Sequence, residues 1–543
     1  MRRVNAATLK AWIGDGAELA ILDAREEGEF GAAHLFWAVP CPLSRAELRA
    51  RALLPRLATR ICCVDGGEGH AERLAAWLDS IGATDLHVLE GGVPAWKAAG
   101  HVVFSGVNVP SKAFGEWVEH QYGTPSVDPA ELHAMMERGE DMVILDSRPM
   151  EEFRRMSIPG ARDVPGGELV YRIGELAPRP ETTIVVNCAG RTRSIMGAES
   201  LRSAGVPNRV VALRNGTMGW ELAGFACERG RAESYPPGTP ASLAQARARA
   251  EAFAARCGVR VTDRAGLAAM QADPGRTTYL LDVRSPEEFA AGHIAGSLSA
   301  PGGQLVQATD QWVAVRNARI VLVDDAGLGA PSRDRLGAPS RDGVRARMTG
   351  GWLRQLGQWE VYVLEDGLAG RLEEGMARPD CPEAVAIRAD AVAPVQLAAL
   401  LAAGGAQVVQ LSRSTAFREA HIPGALWGVR TRLAALAPQL AADRPVVAAA
   451  EEEAVGRLAV PELRALVAVP VRLLAGGLAA WRAAGLPLEA DRHDPPDAAC
   501  VDVYLRPYDR NEGVEQAMRD YLSWEVDLVH EVARDGDARF GLG

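Results

Sequence analysis

One short pattern recurs four times along the 543-residue chain and determines how the chain is organised. In each copy an apolar run ends in a polar turn, and a phenylalanine follows at constant spacing. The copies are Leu22-Asp23-Ala24-Arg25 with Phe30, Leu145-Asp146-Ser147-Arg148 with Phe153, Leu281-Asp282-Val283-Arg284 with Phe289, and a degraded Val409-Gln410-Leu411-Ser412 with Phe417. Because their starts lie 123 to 136 residues apart, each copy is long enough to form one domain. The repeat therefore predicts four tandem domains of one design.

Within each copy, short runs of Val, Ile and Leu alternate with segments of helical period. In the second copy the run 184–186 precedes a helical pattern over 195–201, and the next apolar run covers 210–213. Apolar runs separated in this way are typical of buried parallel strands. We predict α/β domains, each a central parallel sheet flanked by helices, and a helical, aromatic tail. The predicted domains and tail are 1–104, 126–230, 258–375, 388–490 and 491–543.

The composition is that of a globular protein, with 48% hydrophobic and 24% charged residues. The net charge of −11 and the absence of a basic stripe argue against nucleic acid as a partner. No signal-peptide core and no run of about 18 apolar residues is found. The eight cysteines show no paired C-x-x-C spacing, which argues against a disulfide framework and structural zinc. We expect a cytoplasmic protein without a metal, a cofactor or a membrane partner.

Cys188 is the candidate catalytic residue. It ends an apolar run and opens the segment Cys188-Ala189-Gly190-Arg191-Thr192-Arg193-Ser194, before a helical pattern. A strand that runs through a short loop into a helix directs several backbone N–H groups and the helix dipole at one place, and two guanidiniums add to the positive field. We therefore expect the pKa of the Cys188 thiol to be lowered, so that it is a nucleophile at neutral pH.

These residues resemble the rhodanese (thiosulfate sulfurtransferase) family, and the resemblance covers nearly the whole chain as four tandem rhodanese-like domains. The second copy is the strong match. The resemblance implies a loop cysteine, here Cys188, that accepts sulfane sulfur as a persulfide. It also implies that Arg191, Arg193 and nearby backbone amides hold the anionic sulfur donor. The residues that supply those amides are Ala189, Gly190, Thr192 and Ser194.

The other three copies lack the cysteine. Cys188 lies 42 residues after Asp146, and the same offset leads to Asp65, Asp324 and Glu452 in the first, third and fourth copies. A carboxylate cannot form a persulfide and repels an anionic donor, so we predict that these copies are inactive. The third copy also duplicates a segment as 328–334 and 336–342, which predicts a lengthened, exposed loop.

Several recurring polar residues are interpreted as structural. The pair Asp146 and Arg148 predicts a bidentate strut at the strand end. His34, His293 and His421 recur without a nearby nucleophile, and we predict that they stabilise a turn. In the tail, residues 521–529 predict an amphipathic helix that docks on a neighbouring domain, covers a site or binds a partner.

Two functions from different classes are compatible with these features. The first is a sulfurtransferase that moves sulfane sulfur from thiosulfate or a related donor, through Cys188, to a thiol or protein acceptor. The second is a scaffold or sulfur-relay protein whose inactive domains bind a partner. A cysteine phosphatase is disfavoured, because the arginine needed six positions after the cysteine is replaced by Ser194 and no Asp general acid can be assigned. The sequence leaves open the physiological donor and acceptor, the role of the tail and the oligomeric state.

Overall fold

The computed structural model describes residues 2–325, 343–357, 359–365, 368–377 and 380–542. The duplicated loop predicted over 328–342 lies outside the described residues. Within the described residues the chain forms four sheets, each flanked by helices, followed by a C-terminal helix. The predicted α/β architecture is therefore confirmed, whereas the domain boundaries given above remain a proposal.

The first two copies, in the fully described stretch 2–256, have matching elements. The strands of the first copy are β1 (Arg2–Val4), β2 (Leu19–Asp23), β3 (Ala38–Pro40), β4 (Arg60–Val64) and β5 (Asp85–Leu89). Its helices are α1 (Ala6–Gly14), α2 (Glu27–Phe30), α3 (Ala46–Leu53), α4 (His70–Ser80) and α5 (Gly92–Ala98), and α6 (Val109–Tyr122) leads to the second copy. The strands there are β6 (Ser126–Val127), β7 (Met142–Asp146), β8 (Arg162–Asp163), β9 (Thr183–Asn187) and β10 (Val210–Leu213). Its helices are α7 (Pro129–Glu137), α8 (Met150–Arg155), α9 (Leu169–Leu176), α10 (Thr192–Ser203) and α11 (Gly216–Leu222), and α12 (Pro240–Arg256) leads onward.

The third and fourth copies repeat this arrangement. The strands of the third are β11 (Arg260–Thr262), β12 (Thr278–Asp282), β13 (Leu298–Ser299), β14 (Val315–Arg316), β15 (Arg319–Val323) and β16 (Glu360–Leu364). Its helices are α13 (Arg264–Ala272), α14 (Pro286–Ala291), α15 (Gly302–Gln307) and α16 (Val344–Gly357), and α17 (Pro382–Ala386) leads to the fourth copy. The strands of the fourth are β17 (Asp390–Val392), β18 (Gln407–Gln410), β19 (Leu426–Trp427), β20 (Val446–Ala449) and β21 (Val471–Leu474). Its helices are α18 (Pro394–Ala402), α19 (Ser414–Glu419), α20 (Leu433–Leu436), α21 (Glu453–Arg464) and α22 (Gly477–Ala483), and the tail forms α23 (Val514–Asp535).

The four sheets share one strand order, which in the second copy is β6-β10-β9-β7-β8 with all neighbours parallel. Strand β9 is buried along its whole length because helices cover both faces of the sheet. The register places the last residue of β7, Asp146, beside Asn187 at the end of β9. Binding sites of open parallel sheets lie at this carboxyl edge, so the fold directs attention to the loop that follows β9.

The domains are packed together and are not independent units on a string. Strand β14 of the third copy pairs antiparallel with β2 of the first. Helix α12 lies against both α9 and α16, and the Phe253 and Trp352 rings meet at 5.1 Å between centroids. One continuous apolar core joins the first three copies and the tail helix. The relative placement of the second copy and the tail is therefore fixed by buried contacts.

The strut predicted at the strand ends is confirmed. Arg148 donates from Nε to Asp146 Oδ1 at 2.9 Å and from Nη2 to Asp146 Oδ2 at 2.7 Å, and both side chains are buried. The same bidentate pair is formed by Arg25 with Asp23 and by Arg284 with Asp282. Because copies without the cysteine keep the pair, it holds the turn and does not act in catalysis.

The predicted turn role of the recurring histidines is also confirmed. The rings of His34, His293 and His421 stack on a phenylalanine four residues earlier, at 3.8 to 4.1 Å between centroids. Each histidine also forms an isolated antiparallel bridge with a residue near the end of its copy. These contacts close the turn after the strut against the chain that leaves the domain.

Candidate active site

Cys188 lies directly after β9 and at the entrance to α10, at the carboxyl edge of the second sheet. Its Sγ is 3.3 Å from Ser194 Oγ, and the Ser194 hydroxyl also lies 2.9 Å from the Arg191 carbonyl oxygen. The backbone N–H of Ser194 also interacts with the thiol. The loop therefore curls around the sulfur as the sequence predicts, with the first turn of a helix on one side.

The start of α11 holds the loop from below. Thr217 N–H donates to the Cys188 carbonyl at 2.9 Å, and Met218 N–H donates to the Ala189 carbonyl at 3.0 Å. Gly216 has φ +54°, and a Cβ at this position would lie only 2.2 Å from Cys188 O. A side chain is therefore excluded here. The glycine near the end of each copy was noticed in the sequence as a loop signal, but its contact with the cysteine loop could not be seen there.

Both arginines of the loop already have carboxylate partners. Arg191 donates to Glu116 at 2.8 and 2.7 Å and also contacts Glu119, both on α6. Arg193 donates to Glu152 on α8 at 2.8 and 2.7 Å. Burial disfavours the charged form of Glu152, but Arg193 outweighs it and holds the pKa of that carboxyl at about 2. The role of the two guanidiniums as donors to a bound sulfur donor stays a prediction.

The expectation of a lowered thiol pKa is wrong for this structure. Cys188 is only 2% exposed, and burial raises the pKa of its thiol above the ordinary value of 9.0. Arg193 and the two Ser194 hydrogen bonds act in the opposite direction, while Glu525 of the tail adds to the rise. The local signals read from the sequence are present, but desolvation outweighs them, and spacing along the chain does not reveal desolvation.

Sulfur loading of Cys188 should therefore accelerate as the pH rises, without a plateau below about pH 9, because the reactive thiolate forms only above a raised pKa. Replacing Ser194 by alanine removes a hydroxyl that stabilises the thiolate, and this should lower the loading rate at pH 7 by about tenfold. Stopped-flow measurement of persulfide formation across pH 6 to 10 tests both statements. Ser203→Ala, at the far end of the same helix, is the matched control. A wild-type rate that is flat above pH 7 would contradict the burial argument.

The tail helix lies over the cysteine loop. Glu525 Oε1 accepts hydrogen bonds from Thr192 Oγ1 at 3.2 Å and from Tyr521 OH at 3.0 Å. A Cβ at Gly190 would lie 3.0 Å from Glu525 Oε2. Met518 and Leu522 pack with Met218 of α11 in a small apolar cluster. Of the roles considered for the tail, docking on a neighbouring domain is therefore confirmed, and the domain it docks on is the one that holds Cys188.

A cleft of about 830 Å³ opens beside the loop, between the second copy, the linker helix α6 and the tail. Ala189 and Arg193 of the loop form part of its wall. Lys112 of α6 and Tyr504, Arg506, Tyr508 and Tyr521 of the tail line the other side. The loop is therefore approached through a space that three separate parts of the chain enclose.

The equivalent positions of the first and third copies hold carboxylates, as the offsets predict. Asp65 accepts from the N–H groups of Gly67 at 2.9 Å and Ala71 at 3.0 Å. Asp324 accepts from Ala346 N–H at 3.0 Å and from the Arg345 guanidinium. In both copies the protein's own carboxylate occupies the place where the second copy has a thiol.

The fourth copy differs from the prediction. Leu478 N–H donates to the carbonyl of Ala450 at 2.9 Å, as Thr217 N–H does to Cys188, so Ala450 and not Glu452 is the structural equivalent. The offset failed because the connection between the two central strands is two residues shorter in this copy. Glu452 instead pairs with Arg45 of the first copy at 3.2 Å. The fourth copy therefore lacks a nucleophile for a different reason than the first and third.

Other groups of chemical interest are few. All eight cysteines are free thiols. In the part of the chain that the structure describes, no three His, Cys, Asp or Glu side chains are grouped in a way that could hold a metal ion. Across the same residues no helix combines the length and apolarity that a membrane crossing requires. The cytoplasmic location stays a prediction.

A thiol at the end of a central parallel strand, inside a loop capped by a helix, defines a class of α/β proteins built for covalent transfer through cysteine. A family model described as the rhodanese-like domain matches residues 5–99, 128–223 and 263–373. The crystal structure of a thiosulfate sulfurtransferase from Pseudomonas aeruginosa superposes with a TM-score of 0.91, at 44% sequence identity and with 100% of both chains covered. The chain belongs to the rhodanese family and is a sulfurtransferase of that type.

Two curated relatives match parts of the chain. YrkF of Bacillus subtilis, named as a candidate sulfur carrier protein, is 26% identical over 183 residues, which are 34% of this chain and 90% of that protein. An HTH-type transcriptional regulator of Mycobacterium tuberculosis is 35% identical over 111 residues, 20% of this chain. The chain spans about half of that regulator's length, 47%. The fourth copy lies outside the ranges that the family model matches, but its sheet has the same strand order as the others.

Proposed function

We propose that this rhodanese-type sulfurtransferase works through a persulfide on Cys188, with thiosulfate or a related anion as donor and a thiol as acceptor. The Cys188 thiolate attacks the outer sulfur of thiosulfate, the S–S bond of the donor breaks, and sulfite leaves with the electron pair of that bond. The acceptor thiolate then attacks the outer sulfur of the persulfide, and the thiolate of Cys188 is restored. No net oxidation or reduction of the enzyme is needed.

A single observation carries the proposal: of the four equivalent loops, whose central positions are all described, only the second places a nucleophile at the centre. The equivalents are Asp65, Asp324 and Ala450. The first two bind the surrounding N–H groups with their own carboxylates, so they cannot receive an anionic donor there. Transfer chemistry is therefore assigned to Cys188 alone.

Sulfur transfer suits this loop better than phosphoryl transfer. A cysteine phosphatase needs an arginine at the sixth position to surround a tetrahedral oxyanion, and that position is Ser194, whose hydroxyl contacts the sulfur. Sulfite is already a good leaving group, so attack on thiosulfate needs no general acid. The thiosulfate sulfurtransferase named among the solved structures supports the choice of donor, since it matches this chain over its full length.

Mass spectrometry after incubation with thiosulfate tests the proposal. We expect one added sulfur, located on the peptide that contains Cys188 and released as thiocyanate by cyanide. Cys227→Ser is the matched control, because Cys227 is the other cysteine of the second copy and is more exposed; this variant should still accept the sulfur.

Sulfur on another cysteine, or none at all, would contradict the assignment of Cys188. Loading without repeated turnover of small acceptors would favour the alternative in which the inactive copies bind a partner and Cys188 relays sulfur to it. The enclosed cleft beside the loop favours turnover of small acceptors over that alternative.

A further inference from the structure

Two cations in the cleft beside the cysteine loop have no carboxylate partner. Lys112 of α6 is 4% exposed, and its Nζ lies 4.7 and 4.6 Å from the ring centroids of Tyr521 and Trp524. Arg506 is an exposed residue of the tail that lines the same cleft. No carboxylate among the described residues forms an ion pair with either group. Positive charge is therefore left over on one side of the cleft.

The other cations of the cleft are neutralised, which makes this excess specific. Arg193 pairs with Glu152 at 2.7 Å, and Arg148 pairs with Asp146 at 2.7 Å. The remaining pairs are Arg155 with Asp509 at 3.3 Å and Arg418 with Asp497 at 2.8 Å. A nearly buried ammonium without a counter-charge is costly, and aromatic faces offset only part of that cost. A site of this kind is completed by an anion from outside the protein.

Lys112 and Arg506 face a common space. Burial lowers the pKa of Lys112 to about 8, and the charges of Arg506 and Arg193 lower it further while Glu525 and Asp310 oppose them. Mutual repulsion of this kind requires that the cations lie near one another. Lys112 therefore stays mostly protonated at pH 7 and is available to bind an anion close to the loop that carries Cys188.

The size of the cleft indicates which substrate binds there. At about 830 Å³ it lies within the range of sites for small organic molecules, roughly 300–1,000 Å³, whereas thiosulfate has only five heavy atoms. Its walls include Ala189 and Arg193 of the cysteine loop. A molecule held at Lys112 and Arg506 can thus extend toward the sulfur with its other end.

We propose that this cleft is the acceptor site and that it takes a small thiol bearing a carboxylate, which Lys112 and Arg506 bind. The inference rests on the proposed function and adds to it the chemical class of the acceptor. The acceptor thiolate attacks the outer sulfur of the Cys188 persulfide, a new S–S bond forms, and the S–S bond to Cys188 breaks to return its thiolate. The persulfide proton leaves with the product, and nothing is oxidised or reduced overall.

Acceptor kinetics on the sulfur-loaded full-length protein test the proposal. The second-order rate constants for mercaptosuccinate and for the neutral 2-mercaptoethanol are compared, each expressed per thiolate. We expect Lys112→Met and Arg506→Gln each to lower the ratio of the two constants by about tenfold, since a charged hydrogen bond is lost. Arg519→Gln, an exposed residue on the same helix as Tyr521, is the control and should leave the ratio unchanged. A ratio unaltered in both variants would overturn the proposal, as would a loss confined to the thiosulfate step.

Binding without the thiol separates this proposal from the function of Cys188. Calorimetry on Cys188→Ser should detect (methylthio)succinate and not its dimethyl ester, and Lys112→Met in the same background should weaken binding at least about tenfold. Equal affinity for acid and ester would overturn the acceptor site even if Cys188 carries sulfur. Conversely, failure of Cys188 to accept sulfur would overturn the proposed function and leave this binding result standing.

Discussion

Replacing Cys188 by serine is expected to reduce sulfur transfer from thiosulfate to cyanide by at least about 10³-fold, the scale seen when a covalent nucleophile is removed. A hydroxyl has nearly the same shape as a thiol, so it can keep the 3.3 Å contact with Ser194 and the loop should stay folded. It cannot hold sulfane sulfur, because an oxygen–sulfur bond of that kind is neither formed nor transferred readily. Release of thiocyanate, followed colorimetrically, measures the loss.

The control for this experiment is again Cys227→Ser, which changes a cysteine of the same copy that does not contact the loop. Its turnover should equal that of the wild type. Circular dichroism of both variants verifies the fold. If Cys188→Ser retained turnover within tenfold of the wild type, another nucleophile would have to act, and the conclusion drawn from the four equivalent loops would fail.

Replacing Arg345 by methionine is expected to destabilise the protein by about 3–5 kcal/mol, the cost of leaving buried charges unpaired. The guanidinium is 2% exposed and is surrounded by carboxylates. Its shortest contacts are to Asp324 at 2.9 Å, Asp325 at 2.5 Å, Glu168 at 2.8 Å and Glu288 at 2.7 Å. Without the arginine, these acidic groups repel one another in a site that water does not reach. The midpoint of thermal unfolding should fall accordingly.

The pH dependence of that loss has a definite sign. In the variant the folded-state pKa values of these carboxyls should be raised above their unfolded values, because burial is no longer opposed by the arginine. A group with a raised folded pKa stabilises the protein at low pH and ceases to do so as the pH rises through that value. The difference from wild type should therefore be smaller at pH 5 than at pH 8.

The control for Arg345→Met is Arg482→Gln. Arg482 pairs with Glu451 at 2.6 Å, but both side chains are partly exposed, at 43% and 34%. Surface pairs of this kind contribute about 0–1 kcal/mol. Equal effects of the two substitutions, or an effect of Arg345→Met that does not change with pH, would contradict the account of a buried network.

Arg345 shows how an inactive copy is used structurally. It occupies the second position of α16, as Arg193 does in α10, and both contact the glutamate six residues after the strut aspartate. In the third copy the same guanidinium also reaches Glu168 at the start of α9 in the second copy. Where the cysteine is replaced by Asp324, the arginine therefore ties two domains together.

Local patterns were enough to predict the architecture and the location of the nucleophile. Strand and helix periods, the struts and the segment around Cys188 depend on residues close together in the chain, and each was found where its spacing indicated. The same method failed for Glu452, because an offset is reliable only if the intervening connection has constant length. The domain boundaries and the roles of Arg191 and Arg193 remain predictions.

The sequence by itself determined four α/β domains and one thiol in a helix-capped loop, since these follow from short-range periodicity and from residue chemistry. Only the tertiary structure decided that the thiol is buried, that Glu525 lies over its loop and that Lys112 and Arg506 share one cleft. The reason is physical: desolvation and charge pairing depend on which surfaces meet, and Lys112 and Arg506 belong to segments almost 400 residues apart. No spacing rule encodes that meeting, whereas the packing of the tail on α6 produces it directly.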